Sequence, residues 1–267
     1  MRFLLPPSET KVSGGTGAIF NADSLRLTQL TKARAKVMAA VKLLAAEPEQ
    51  ATKVLGLGKK NLHEAAWNLA LKKSPTLPAI ERYDGTLFDA LKGIEPAVAG
   101  GAVHPLSDLA QSRLAEHVFI QSALFGLVSA ADNLPAYRLS GTTSLPGLSL
   151  KKLWADAHAS VWPEFGEDLI IDLRSKVYAE LAPLPIDGSV NWVWVEVVHE
   201  GPDGVRKPMN HFNKKAKGVL VRAALQAEQM PKTLAELGEV ARSVGLELEM
   251  PTGDRTAVLV TREQVSR

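Results

Sequence analysis

Cysteine is absent from the 267 residues, which excludes disulfides, thiolate metal sites and a cysteine nucleophile. Histidine is scarce: there are six, and none has His-x-x-x-His or His-Glu-x-x-His spacing, so no metal site is expected. There is no Gly-x-Ser-x-Gly elbow, and the Gly/Ser/Thr-rich stretch SETKVSGGTGAIF lacks the glycine spacing of a Walker loop. Nothing in the pattern points to a cofactor. No apolar run approaches the ~18 residues of a membrane span. The opening MRFLLPPSET has too small an apolar core for a signal peptide. A cytoplasmic protein without a membrane partner is therefore expected. An excess of one charge is also missing: 31 Lys and Arg face 29 Asp and Glu, so a polyanionic partner would have to be recognised by local clusters.

What is present is ordinary globular composition, 46% hydrophobic and 22% charged, with length for a large core. No internal repeat or clear linker divides the chain, and one domain over residues 1–267 is expected. Residues 2–5 read as a buried strand stopped by Pro6-Pro7. Residues 21–47 read as a helix capped by Asp23 or Ser24, with Leu30, Ala33, Val37, Val41 and Leu44 on one face. Residues 97–103 are Gly/Ala-rich and read as a connection. Residues 191–199, NWVWVEVVH, alternate and are β-branched, which predicts a strand. Residues 246–250 and 257–261 predict a terminal hairpin. Helices and strands are mixed without regular alternation, which points to an α+β or irregular α/β domain.

Three stretches are basic and free of acids. Residues 25–46 carry Arg26, Lys32, Arg34, Lys36 and Lys42. Residues 205–227 carry Arg206, Lys207, Lys214, Lys215, Lys217 and Arg222, with His211 and Asn213 among them. The third lies in ATKVLGLGKKNLHEAAWNLALKK, which reads as two short helices joined by Leu55-Gly56-Leu57-Gly58 and followed by Lys59 and Lys60. Gly56 and Gly58 permit a sharp corner, and the next helix would offer free N–H groups and its positive dipole end. That layout, at about residues 50–73, resembles a helix-hairpin-helix, which grips the sugar–phosphate chain and reads no bases. Gly-x-Gly-Lys also ends ordinary helices, so the pattern by itself reads first as a plain helix–turn–helix packing unit.

Classical catalytic pairs are few. Ser8-Glu9 beside a loop has the types of a nucleophile and base. Asp168 and Asp172 flank an apolar strand, where carboxylates bind metal or form salt bridges.

MRFLLPPSETK, YDGTLF, QSALFGLV, PAYRL, LKKLW, LIIDLRSKVY and HFNKKAKG follow one another along the chain. In that order they resemble the YaaA family, known as a domain of unknown function and as peroxide stress protein YaaA. The resemblance covers nearly the whole chain. It implies an unusual α+β fold, a basic cleft, a helix-hairpin-helix element, and DNA binding that limits damage under hydrogen peroxide. Gly56, Gly58, Lys59 and Lys60 then match the hairpin. Tyr83, Gly85, Tyr137, Arg138, Trp154, Ser175, Tyr178, Lys214, Lys215 and Gly218 match recurrent family positions. One branch has Ala-Lys after the first strand's proline where this chain has Ser8-Glu9, with Lys11 two residues on. Another family pattern, Phe-Tyr-Ala-Lys-Lys-Ala-Arg-Gly, appears here as HFNKKAKG.

Two functions are expected on this basis. The first is sequence-independent binding of double-stranded DNA, with Gly56, Gly58, Lys59 and Lys60 on one phosphate. Arg138, Lys214, Lys215 and Lys217 would sit on others, with Tyr83 or Tyr137 stacked on a base. The second is an enzyme acting on a nucleobase, nucleoside, nucleotide or damaged base. Its catalytic groups would be Glu9, Tyr83 and Lys215, the last made nucleophilic by Lys214.

Overall fold

The computed structural model describes residues 1–94, 105–207, 210–251 and 253–262. The chain opens with strand β1 (Arg2–Leu5), followed by helices α1 (Thr31–Ala45), α2 (Pro48–Val54) and α3 (Ala65–Ala70). Then come β2 (Leu77–Pro78), α4 (Ala79–Arg82), α5 (Thr86–Lys92), α6 (Asp108–His117), β3 (Val118–Ser122), β4 (Gly126–Ser129) and β5 (Asn133–Leu134). The second half holds α7 (Leu150–His158), β6 (Ile170–Asp172), α8 (Lys176–Leu181), β7 (Trp192–Glu200) and β8 (Arg206–Lys207). It ends with α9 (Asn210–Gln226), α10 (Leu234–Ser243), β9 (Leu246–Glu249) and β10 (Thr256–Thr261).

Among the described residues, eight strands form one sheet in the order β4-β3-β1-β6-β7-β10-β9, with β8 also on β7. Strands β3, β1, β6, β7 and β10 are mutually parallel, and β4 and β9 flank them antiparallel. Of the α+β and irregular α/β classes expected, this sheet supports the second, a mixed α/β domain. Taken in chain order, the parallel strands lie second-first-third-fourth-fifth, a doubly wound order whose direction reverses between β1 and β6. Sequence alternation hides this, because the helices between β1 and β3 are numerous and short.

Burial explains the strands. Every residue of β3 and β6 is buried, as in a parallel sheet covered on both faces. In β7, Val193, Val195 and Val197 are buried while Trp194 and Glu196 turn to the other face, as the alternation predicts. The expected terminal hairpin is β9–β10.

The helix expected over residues 21–47 begins later. Two single turns of 3-10 helix, Ala22–Ser24 and Thr28–Leu30, precede α1, because Leu25 and Leu27 drop into the core between them. Asn21, rather than Asp23 or Ser24, caps the first turn, accepting from the Asp23 N–H. Arg34 is not part of a cationic face. It is fully buried, and its guanidinium donates to the carbonyls of Phe125 (2.9 Å), Leu27 (2.8 Å) and Leu127 (3.0 Å). It thereby satisfies the backbone around the β3–β4 turn. The connection expected over residues 97–103 and the side chain of His211 lie outside the described residues.

Candidate functional site

A cavity of about 950 Å³ opens at the carboxyl ends of β1 and β6, at the reversal of strand order. Open α/β sheets bind ligands at that place, because the loops after adjacent strands part there. Pro6–Thr10 after β1, Arg174–Lys176 after β6, and the free half of β7 supply three sides. The start of α5 and one face of α9 close it, with Asn213, Lys214 and Lys217 on α9. Helix α9 reaches that position because of Gly218. A Cβ there would collide with the Leu87 carbonyl oxygen and lie 2.8 Å from the Ala90 Cβ, so only glycine lets α9 pack this close to α5.

Beneath the cavity lies a buried polar chain. Asp172, on the last residue of β6, accepts from Arg174 Nε (2.8 Å) and NH2 (2.7 Å). Arg174 NH1 donates to Gln121 Oε1 (3.3 Å) and the Ala182 carbonyl (2.9 Å). Gln121 Nε2 stands 3.5 Å from His158 Nε2. The Leu127 N–H donates to that same Nε2 (3.1 Å), so His158 carries its proton on Nδ1 and donates it to the Trp154 carbonyl (2.7 Å). Burial, with the nearby guanidinium of Arg174 adding to it, pushes the imidazole down to about 3, so His158 is a neutral structural group. Sequence reading had no signal for Gln121 or His158, which are a lone amide and a lone imidazole on different elements.

Beside Arg174, which Asp172 neutralises, Lys217 is the buried cation of the cavity wall among the described residues. It is 6% exposed, and among the described residues no hydrogen bond or salt bridge reaches its Nζ. Burial pushes it down to about 8, and the charge of Asp172 opposes that only in part. Lys214 is exposed at the rim. Lys215, expected as nucleophile, is half-buried, does not line the cavity and is already engaged with another group. The helical twist of α9 accounts for the difference. Residues 214 and 217 are three apart and share a face, and residue 215 points about 100° away from 214.

Glu9 stands on the cavity rim, half-exposed. Tyr178 OH donates to its Oε1 (3.3 Å), and Arg138 NH2 lies 3.8 Å from its Oε2. Arg138 also faces Glu64 Oε2 (3.3 Å), and its backbone is held on both sides by Asn68 of α3. Arg138 thus faces two carboxylates, which would compete with a phosphate for its guanidinium. Lys11 lies behind the rim, 7% exposed. Its ammonium donates to the carbonyls of Ser8 (3.0 Å) and Glu9 (3.2 Å) and sits 4.3 Å from the Tyr137 ring centroid. Burial, against the pull of Glu9, holds it at about 8. It pins the loop that carries Glu9.

Stacking of Tyr83 or Tyr137 on a base is excluded by burial, because the two are 0% and 1% exposed. Their hydroxyls bond to each other (2.8 Å), and Tyr137 OH also meets Ser122 Oγ (2.8 Å). Desolvation pushes Tyr83 up to about 12, so it serves as a neutral strut and does not reach the cavity. Asp168 accepts from Arg2 Nε (2.8 Å), and Asp172 is held by Arg174, so both act as salt-bridge partners. Among the described residues, no cluster of three or more His, Asp or Glu is placed to hold a metal. No helix in the described residues is long and apolar enough to cross a membrane.

The glycine corner stands apart from the cavity lining. Gly56 has φ +62°, the Leu57 N–H donates to the Thr52 carbonyl (2.9 Å), and the Gly56 N–H donates to the Lys53 carbonyl (3.4 Å). These are the two bonds of a Schellman cap, and buried Leu55 and Leu57 anchor it. Gly58 has no positive φ. A single 3-10 turn, Leu62–Glu64, precedes the six-residue α3. Gly56, Gly58, Lys59 and Lys60 are all exposed. The corner is joined to the cavity rim through Glu64, Arg138 and Glu9, a link that Glu64 gave no sequence sign of making.

Comparison with known proteins adds the family. The chain is 40% identical over 262 residues to a UPF0246 protein of Corynebacterium efficiens, covering 95% of this chain and 96% of that one. It is 38% identical over 252 residues to a UPF0246 protein of Streptomyces coelicolor, covering 93% and 92%. An uncharacterised protein of Campylobacter jejuni matches at 23% over 240 residues, 89% of each chain. The model of the peroxide stress protein YaaA family matches residues 1–249, and the chain belongs to that family.

Proposed function

We propose that this chain binds double-stranded DNA during peroxide stress, without reading its sequence, through the lysine-bearing hairpin of residues 50–73. One observation carries the reading. Lys53, Lys59, Lys60, Lys72 and Lys73 are all exposed there, and among the described residues none is held in an ion pair. The segment's Glu64 is instead turned inward to Arg138. Free exposed ammonium groups displace counterions from a phosphate backbone, which gives affinity that falls steeply with salt. The test is DNA affinity against salt for the full chain and for Lys59→Ala/Lys60→Ala. The salt slope should drop by about two in the double variant. An affinity insensitive to salt and unchanged in that variant would sink the proposal.

A second reading, an enzyme acting on a nucleobase, nucleoside or nucleotide, is favoured by a different observation: a cavity of about 950 Å³, ligand-sized, at the strand-order reversal. On this reading Lys217, and not Lys215, is the amine within reach of a substrate, and Glu9 is the rim carboxylate. Borohydride trapping with damaged nucleosides and nucleotides tests the amine as a nucleophile. An adduct on Lys217 supports it, and absence of adduct and of base release removes it.

A further inference from the structure

This inference rests on the second reading, that the cavity takes a small molecule, and it names the class. We propose that the cavity binds a nucleoside monophosphate, with Lys217 as the anchor of its single phosphate.

The argument begins with Lys217 itself. The Lys217 side chain is largely buried, and among the described residues its ammonium has no hydrogen-bond acceptor, so an oxyanion from a ligand would offset its lost hydration. The rest of the lining limits how much negative charge the ligand brings. Lys176, Lys214 and Lys217 are matched by Glu9, Asp84 and Glu196, and Arg174 is already neutralised by Asp172. Lys176 and Lys214 are exposed, so water screens them, and of the sheltered cations Arg174 has a carboxylate partner and Lys217 has none among the described residues. The cavity therefore suits one phosphate and has no surplus for a triphosphate or a run of DNA backbone.

The carboxylates specify the other end. Glu9, Asp84 and Glu196 accept hydrogen bonds, and the hydroxyls of Ser8, Thr86 and Ser175 give and accept them. Ribose hydroxyls and the N–H groups of a base are matching donors. Trp194, half-buried on the cavity face of β7, offers a flat indole beside them. A sugar phosphate alone would leave that surface unused.

Binding of a phosphate beside Lys217 favours the charged amine. Because burial holds the free amine near 8, binding at pH 8 should draw a proton from solution. The experiment is calorimetric titration of the full chain with adenosine 5′-monophosphate, adenosine and adenosine triphosphate. It is run at pH 8 in Tris and in HEPES, whose ionisation heats differ. The monophosphate should bind about tenfold or more tighter than adenosine, with the triphosphate no tighter. Roughly half a proton should be taken up by the wild type, and none by Lys217→Arg, which keeps the charge and most of the affinity. Lys217→Met should lose about tenfold or more in affinity while folding at least as stably, since a buried charge is removed.

Equal binding of adenosine and its monophosphate, a tighter triphosphate, or no proton uptake would overturn the assignment. So would the absence of nucleotide binding. The DNA reading is separable: Lys59→Ala/Lys60→Ala should leave the monophosphate affinity unchanged, and Lys217→Met should leave the salt-dependent DNA affinity unchanged.

Discussion

The glycine corner and the cavity floor both hold cationic groups, and they hold them in opposite ways. At the corner, Lys53, Lys59, Lys60, Lys72 and Lys73 are exposed, and among the described residues none is held in an ion pair. On the floor, Arg174 is wholly buried, bidentate to Asp172 and further bonded to Gln121 and Ala182. Water solvates the first set whatever its neighbours do. Arg174 persists there because each of its guanidinium nitrogens meets an acceptor, since an unmatched charge in that place is unfavourable. Removing a charge should therefore be nearly silent for stability at the corner and severe at the paired Arg174.

The largest effect expected follows from Arg174→Met. It strands the Asp172 carboxylate in the core and should cost about 3–5 kcal/mol in denaturant unfolding. A loss under 1 kcal/mol would mean that the floor tolerates an unmatched charge as the corner does, and the contrast would collapse.

Acid should reach the floor next. His158 takes a proton at 6.5 when unfolded and only at about 3 when folded. Its contribution to stability is thus complete above pH 6.5 and disappears as pH falls from 6.5 through about 3, a change of order a few kcal/mol. Unfolding curves at stepped pH for the wild type and His158→Gln check this. The variant should show a flatter acid limb.

Gly56→Ala sharpens the comparison from the corner's side. It forces a side chain into the left-handed backbone of the Schellman cap and should cost about 1 kcal/mol. That would show the corner's stability to reside in backbone and apolar anchors, not in its lysines. The smallest effect is then Lys59→Ala/Lys60→Ala, within about 0.5 kcal/mol of wild type by the same unfolding measurement. A larger loss would mean that these lysines hold the fold together and are not a free surface.

Legibility followed the same division. Gly56 was readable as a helix end because cap chemistry is local, and the exposed lysines lie where hydrophilic turns lie. The Glu64–Arg138–Glu9 link was not, since its members lie far apart in the chain and no periodicity marks them. Lys217 was readable as a basic residue on a helix, and its depth was not. That depth depends on Gly218, which draws α9 against α5. Tyr83 and Tyr137 illustrate the reverse error. Aromatics near basic stretches suggest stacking platforms, yet both rings were needed inside, where their hydroxyls meet.

By itself, the sequence determined the absence of thiol chemistry, the alternating strand of β7, the capped glycine corner and the family pattern. All of these are set by neighbours within a few residues or by composition. Only the tertiary structure decided the parallel order of the sheet and the cavity at its reversal. It also decided which of Lys214, Lys215 and Lys217 lies in the wall. The reason is physical: burial and charge pairing depend on which distant segments close over a side chain, and that is fixed when strands and helices pack, not when they form.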